Sequence, residues 1–169
     1  LADAAKVQQH LNEARTVARA NLAEARRVVW GLRPEILEQQ TLEQAVQQTA
    51  RDWSAAQHIA AEVSVIGARA ALPPERELVL LRVLQEALAN IGKHARAQHV
   101  SITLSYMPDA AVIDIHDDGV GFVVNRTVRS GQQGFGLLNM RQRLEQYHGT
   151  LTIESSSEGT TLVAEMPLN

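Results

Sequence analysis

Apolar positions recur along this chain with two different periods. Between residues 4 and 33, Val7, Leu11, Ala14, Ala18, Leu22, Ala25, Val29 and Leu32 step by three and four, which is the spacing of a heptad seam. Asp3 is placed to cap that helix, and Gly31 and Pro34 end it, because proline disfavours helical geometry in the residue before it and cannot donate an amide. A helix of this length extends ~45 Å at the standard rise. It would overhang a domain of this size, so a bundle or coiled-coil partner is the expectation ahead of packing on its own domain. A second helix is predicted over 41–57 through Leu42, Ala45, Val46, Thr49 and Trp53, opened by Thr41 and Gln44 at capping-box spacing. Ala61, Val63 and Val65 then alternate with polar residues as in a half-buried strand.

After a connection over 67–72, Pro73 and Pro74 followed by Glu75 and Glu77 open a central helix in the way its positive end favours. Strands are predicted at 100–106, 111–117, 150–155 and 160–166, the first two joined through Met107, Pro108 and Asp109 as a hairpin. A further helix begins around Gly136, Leu137 and Leu138 and runs to about Tyr147. Helices neither alternate strictly with strands nor stand apart from them, so the fold class is α+β: a two-layer sandwich of mixed β-sheet and helices, with a long N-terminal helix.

The central helix carries the first candidate chemistry. In QEALANIGKHA, residues 85–95, helical spacing puts Glu86, Asn90, Lys93 and His94 on one side, and Leu84, Leu88, Ile91 and Ala95 on a core-facing side. Val79 and Val83 continue the polar side one and two turns earlier, so something is expected to roof it. A carboxylate, a carboxamide, an ammonium and an imidazole beneath a roof suit a metal ion and phosphates. For this helix alone, a solvated face with ion pairs is the alternative.

The second stretch is VIDIHDDGVGF, residues 112–122. Strand alternation sets Ile113, Ile115 and Asp117 on one face and Val112, Asp114 and His116 on the other. Asp117 thus ends an apolar row, and an unpaired buried carboxylate costs several kcal/mol, so a strong donor should be waiting for it. Asp118 belongs to the turn, and Gly119 and Gly121 allow close backbone approach or positive φ, although a plain hairpin turn explains them equally. Residues 123–134 have no apolar period and contain Arg126, Arg129, Gly131 and Gly134, a composition suited to closing over a ligand or to an ordinary surface loop. Free amides at the start of the following helix could hold a phosphate. Thr160 shares a strand face with Leu162, Ala164 and Met166, and its hydroxyl could help to satisfy Asp117, directly or through water.

Composition narrows this picture. The 169 residues can bury one sizeable core. A net charge of −3 gives no basic footprint, so nucleic acid is a poor partner. The absence of cysteine excludes disulfides and thiolate metal sites. No apolar run approaches the ~20 residues that span a bilayer, and none has the layout of a signal peptide. The pattern is already helical at Leu1, as expected of a piece of something longer. His58, His99 and His116 lack ligand-like spacing and read as ordinary surface or strand residues.

QEALANIGKHA, DDGVGF and GFGLLNMRQR, in this order and at these intervals, resemble the N, G1 and G2 boxes of the ATP-binding domain of two-component sensor histidine kinases, within the wider group of gyrase, MutL and heat-shock chaperone ATPases. ARRVVWGLRPEIL, residues 25–37, resembles the close of the second dimerisation helix in the subfamily that signals to NarL-type response regulators. The resemblance covers essentially the whole chain. It implies part of a dimerisation helix over residues 1–36 and an ATP-binding catalytic domain over 37–169, using ATP and Mg2+. It further implies homodimerisation through the N-terminal helix, a NarL-type response regulator as partner, and a cytoplasmic location even where the intact protein is membrane-anchored.

By the same resemblance, Asn90 would coordinate Mg2+ and Glu86 would hold a metal-bound water or serve as a base. Lys93 and His94 would lie beside the nucleotide, Asp117 would accept from the adenine amino group, and Thr160 would support that contact. Gly119 and Gly121 would let backbone approach the nucleotide, while Gly134, Gly136 and Leu137 at the helix start would close around the phosphates. The family's acceptor histidine, followed by aspartate, has no counterpart: His10 is followed by Leu11, so this stretch should not phosphorylate itself. His148 and Gly149 stand where the family often has paired glycines. Two alternatives are an ATP-dependent serine kinase or ATPase of the same fold, and a non-catalytic dimerisation module.

Overall fold

The computed structural model describes residue 37, residues 39–123 and residues 135–169, which fall in the compact unit Glu35–Asn169. The expected helix over 4–33, the stretch ARRVVWGLRPEIL before Leu37, and Arg126, Arg129, Gly131 and Gly134 lie outside the described residues.

Helix α1, Leu42–Gln57, starts as its sequence dictates. The Gln44 amide donates to Thr41 Oγ1 at 3.4 Å and the Thr41 amide to Gln44 Oε1 at 3.0 Å, which satisfies two otherwise orphaned donors. Leu42, Ala45, Val46 and Ala50 are buried along one face. His58, in the left-handed region at φ 57°, ends the helix. Strand β1, Ala60–Ile66, follows at once.

Helix α2, Pro74–Asn90, opens with a proline in its first turn and with Glu75 and Glu77 against its positive end. It crosses back to β2, His99–Tyr106, which lies parallel to β1. Strand β3, Ala110–Asp117, returns antiparallel. Helix α3, Phe135–Glu145, precedes β4, Thr150–Ser156, and β5, Gly159–Pro167. The sheet order is β1-β2-β3-β5-β4, with every neighbouring pair after the first antiparallel. Within the described residues this is the expected mixed α+β sandwich.

Alternation along the strands builds the core. Ile102, Leu104, Ile113, Ile115, Leu162, Ala164 and Met166 are buried between sheet and helices, together with Leu80, Leu84 and Leu88 of α2 and Met140 and Leu144 of α3. Their strand neighbours Ser101, His116 and Glu165 face out. Among the described residues strand β1 pairs with β2 alone, so Ala61 and Val63 are half-buried and Val65 is 39% exposed. That is more exposure than its alternation predicts.

One departure from the periodicity matters for the site. The helix does not continue as an α-helix to Ala95: Ile91–Ala95 is a π turn, a wider winding than the one that the spacing argument assumes. The Ile91 amide is shared between the carbonyls of Ala87 and Leu88, and Arg96 closes the turn at φ 55°.

Candidate functional site

Strand β3 delivers Asp117 as the last member of its buried row, and the residue is 3% exposed. The Gly119 amide donates to Asp117 Oδ1 at 2.9 Å. Burial raises the carboxyl above its ordinary range, and the amides of Gly119 and Thr160 only partly oppose that. Such an acceptor remains under-satisfied and receptive to a further N–H donor.

The neighbouring Asp118 behaves oppositely. Its carboxylate takes the amides of Gln98 at 2.7 Å and His99 at 3.0 Å, and the His99 ring at 2.9 Å. These bonds, the His99 amide foremost, pull its pKa down to about 2. Asp118 therefore ties the exit of β3 to the entry of β2 and has no free oxygen duty in the cleft.

The chain after β3 is held on two sides. The Val120 amide donates to the carbonyl of Ala95 at 2.8 Å, and a Cβ on Gly119 would lie 2.4 Å from that same oxygen. On the other side Gly121, at φ +60°, lies so close to the β4 end that an added Cβ would sit 1.8 Å from the Ser156 carbonyl. Only glycine permits that approach.

Between these elements lies a cleft of about 130 Å³, comparable to an engineered apolar cavity of ~150 Å³ that takes up benzene. Ala87, Ile91, Ala95, Ile115, Phe122, Leu137, Ile153 and Leu162 give it apolar walls, and Asn90, His94, Asp117 and Thr160 its polar groups. An apolar cleft of this volume with one buried carboxylate can accommodate a heteroaromatic ring bearing an amino group.

The residues singled out from the sequence are distributed unevenly. Asn90, His94, Asp117, Gly121, Leu137 and Thr160 line the cleft, and Gly119 is buried behind it. Glu86 does not line the cleft; it packs under α3, where a Cβ on Gly136 would meet its Oε1. Helix α3 is thus the roof expected over that side of α2. Lys93 is exposed and off the cleft wall. The π turn brings Ile91 and Ala95 to the wall in place of the lysine, which α-helical spacing had set beside Asn90. The Thr160 hydroxyl is not bonded to Asp117 either: it pairs with Ser155 Oγ at 2.9 Å, and the nearby Thr160 amide contributes only weakly to holding the carboxyl's pKa down.

Sequence reading missed three contributors. Ser155 accepts the Phe122 amide at 2.9 Å. Phe122 supplies an apolar wall. Gly159, at φ +134°, approaches Asp117 so closely that a Cβ would lie 2.0 Å from its carbonyl. The hairpin between β4 and β5 was legible, but that its glycine abuts β3 follows only from strand order.

A mixed five-stranded sheet roofed on one face by helices, with a buried carboxylate at a strand end and a carboxamide on the facing helix, is the architecture of an ATPase-type nucleotide-binding domain. Residues 75–169 match the model of the histidine kinase-, DNA gyrase B-, and HSP90-like ATPase family. The chain belongs to this family, as the ATP-binding domain of a two-component sensor histidine kinase.

Among its relatives, the sensor histidine kinase MctS of Rhizobium johnstonii is 34% identical over 86% of this chain and 32% of its own length. The histidine-protein kinase/phosphatase UhpB of Salmonella typhimurium is 36% identical over 84% of this chain and 28% of its own. The chain thus spans about a third of the curated relatives that it matches. The fold is also that of the histidine kinase domain of a blue-light activated histidine kinase from Erythrobacter litoralis, with a TM-score of 0.63 over 75% of this chain and 65% of that one, at 20% identity. Among the described residues no helix is long and apolar enough to cross a membrane.

Proposed function

We propose that this domain binds Mg2+-ATP and transfers the γ-phosphoryl group to a histidine outside the sequence in hand, from which an aspartate of a response regulator receives it. The observation that carries the reading is Asp117: an acidic residue only 3% exposed, at the end of an apolar cleft, with its carboxyl pKa raised by burial. The amino group of adenine is the donor such an acceptor calls for, and the apolar walls suit the purine ring.

The donor set supports a metal only together with nucleotide. Among the described residues no cluster of three His, Cys, Asp or Glu side chains could hold one, whereas Asn90 offers a carboxamide oxygen in the cleft and Glu86 lies one turn earlier on the same helix. Mg2+ is commonly held by one or two protein oxygens plus substrate phosphates. With Asn90 as ligand and Glu86 on a metal-bound water or as base, the ion would neutralise charge on the phosphates. Gly136 and the start of α3 would close the phosphate end in this reading, a role that the family resemblance also implies for Gly134, which lies outside the described residues. His94 lies beside the nucleotide, and Lys93 reaches the phosphates only from outside the wall.

The domain's own work is positioning and exclusion of water rather than covalent chemistry. In the transfer, the bond from the γ-phosphorus to the β-phosphate bridging oxygen breaks, a phosphorus–nitrogen bond to imidazole forms, and the imidazole N–H proton is released. The reading extends to a homodimer through the N-terminal helix and to a response regulator of the NarL type.

The test is phosphotransfer from radiolabelled ATP with the missing histidine-bearing helix supplied in trans. Acid-labile label on that helix, abolished by Asn90→Ala together with Mg2+-ATP binding, is the expected result. Acid-stable label on serine, or hydrolysis without transfer, would replace it with the serine kinase or ATPase reading. No nucleotide binding at all would leave a dimerisation module.

A further inference from the structure

The three residues Phe122, Ser155 and Thr160 form a hydrogen-bond chain that the nucleotide reading does not yet use. The Phe122 amide donates to Ser155 Oγ at 2.9 Å, and Ser155 Oγ lies 2.9 Å from Thr160 Oγ1. Strand register stacks the members: Asp117 faces Thr160 across β3 and β5, and Thr160 faces Ser155 across β5 and β4. Phe122, Thr160 and Asp117 line the cleft, whereas Ser155 stands behind them, half-buried.

The direction of the chain follows from proton counting. A hydroxyl has one proton and two acceptor lone pairs. An amide can only donate, so Ser155 Oγ accepts from Phe122. Ser155 has no hydrogen-bond partner other than Phe122 and Thr160 among the described residues. Were Thr160 to donate to Ser155, the Ser155 proton would be left without an acceptor in a half-buried place, at a cost of about 1–3 kcal/mol. The satisfied arrangement runs from the Phe122 amide to Ser155 and from Ser155 to Thr160. It leaves the Thr160 proton pointing onward, and each bond in such a chain polarises the next.

We propose that Ser155 is a positioning residue for base recognition: by taking the Phe122 amide proton and giving its own to Thr160, it makes the Thr160 hydroxyl a donor toward the cleft. The group it meets is a ring nitrogen flanking the amino group that Asp117 accepts from, so the pair presents one acceptor and one donor side by side. Guanine, with a carbonyl in place of that amino group, offers Asp117 no donor, and at the N1 position it presents a proton where Thr160 needs an acceptor. The inference rests on the nucleotide reading proposed above.

The test is calorimetric titration of the full chain with ADP and with its 1-deaza and 7-deaza analogues, each lacking one flanking ring nitrogen. Ser155→Ala should weaken ADP about 3- to 10-fold, the size of one neutral hydrogen bond. Thr160→Val should weaken it similarly, the double variant should be no worse than Thr160→Val, and Ser155→Thr should restore binding. One deaza analogue should bind the wild type as weakly as ADP binds Thr160→Val, with no further loss on Ser155→Ala. Should Ser155→Ala fail to fold, Ser155→Cys, a weak donor of similar size, carries the same comparison.

Equal weakening of ADP and both analogues, multiplicative losses in the double variant, or no loss at all would overturn the relay and leave Ser155 as a loop anchor. A wild type that binds neither ADP nor its analogues would overturn the nucleotide reading itself, which separates the two failures.

Discussion

Replacing Gly121 by alanine tests how the loop after β3 is held. The glycine sits at φ +60°, and an added Cβ would lie 1.8 Å from the Ser156 carbonyl oxygen and 2.8 Å from Ser155 Oγ. The first of these is backbone, so no side-chain rotation relieves it. The left-handed conformation costs an L-residue about 1–2 kcal/mol. Backing the loop away by the shortfall from van der Waals contact also breaks the 2.9 Å bond from the Phe122 amide to Ser155, worth about 0.5–1.5 kcal/mol.

Gly121→Ala should therefore destabilise the domain by about 2–3 kcal/mol, a large share of the ~5–15 kcal/mol of an ordinary domain. In urea this lowers the midpoint by roughly 1 M or more at unchanged slope. Near-UV circular dichroism reads the transition. Val120→Ala, at a neighbour 55% exposed, serves as control and should stay within about 0.5 kcal/mol of wild type. A Gly121→Ala curve that overlays the control would refute the reasoning, since neither the close approach nor the positive φ would then constrain the loop.

Three further outcomes follow from other parts of the fold. Gly92→Ala should go the other way, stabilising by about 0.5–1 kcal/mol in the same urea titration, because its Cβ would meet only the flexible tip of Gln57 at 3.1 Å; a loss there would contradict the space available in the π turn. Asp118 has a folded pKa of about 2, below its unfolded value near 3.8, so its contribution is present above the latter and lost as pH falls toward the former. The stability gap between wild type and Asp118→Asn should accordingly shrink between pH 4 and 2, and a constant gap would argue against the clamp on Gln98 and His99. Tyr106→Phe should cost about 1–3 kcal/mol with nucleotide binding unchanged: it removes the 2.8 Å bond to Glu43, whose other oxygen is already buried without a partner, at the end of β2 away from Asp117.

Much of the domain was legible because its local signals agree with its tertiary needs. Thr41 and Gln44 cap a helix wherever that helix packs, and Ile113, Ile115 and Asp117 share a face by strand geometry alone, so Asp117 emerged as a buried carboxylate before any contact was known. The π turn was not legible. Nothing in IGKHA breaks an α-helical pattern; the wider winding accompanies contacts of Ala95 with the loop after β3, which lies far along the chain. That is why Lys93 was grouped with Asn90 on one side of the helix although it is exposed, and why the core-packed Ile91 and Ala95 were not expected to reach the cleft as well. The Thr160 hydroxyl has Ser155 as its direct partner, which was not foreseen because alternation gives direction along one strand but not which neighbour competes across the hairpin. Gly159 was hidden for the same reason: its tight approach to Asp117 depends on β5 lying next to β3.

The central claim is that the buried carboxylate at the end of β3 selects adenine, and calorimetric titration of Mg2+-ATP against Mg2+-GTP into wild type and Asp117→Asn tests it most directly. The wild type should bind ATP in preference to GTP. Asp117→Asn, relieved of a charge whose burial is unfavourable at neutral pH, should remain folded and lose that preference. An Asp117→Asn variant that still prefers ATP by the wild-type ratio would contradict the account.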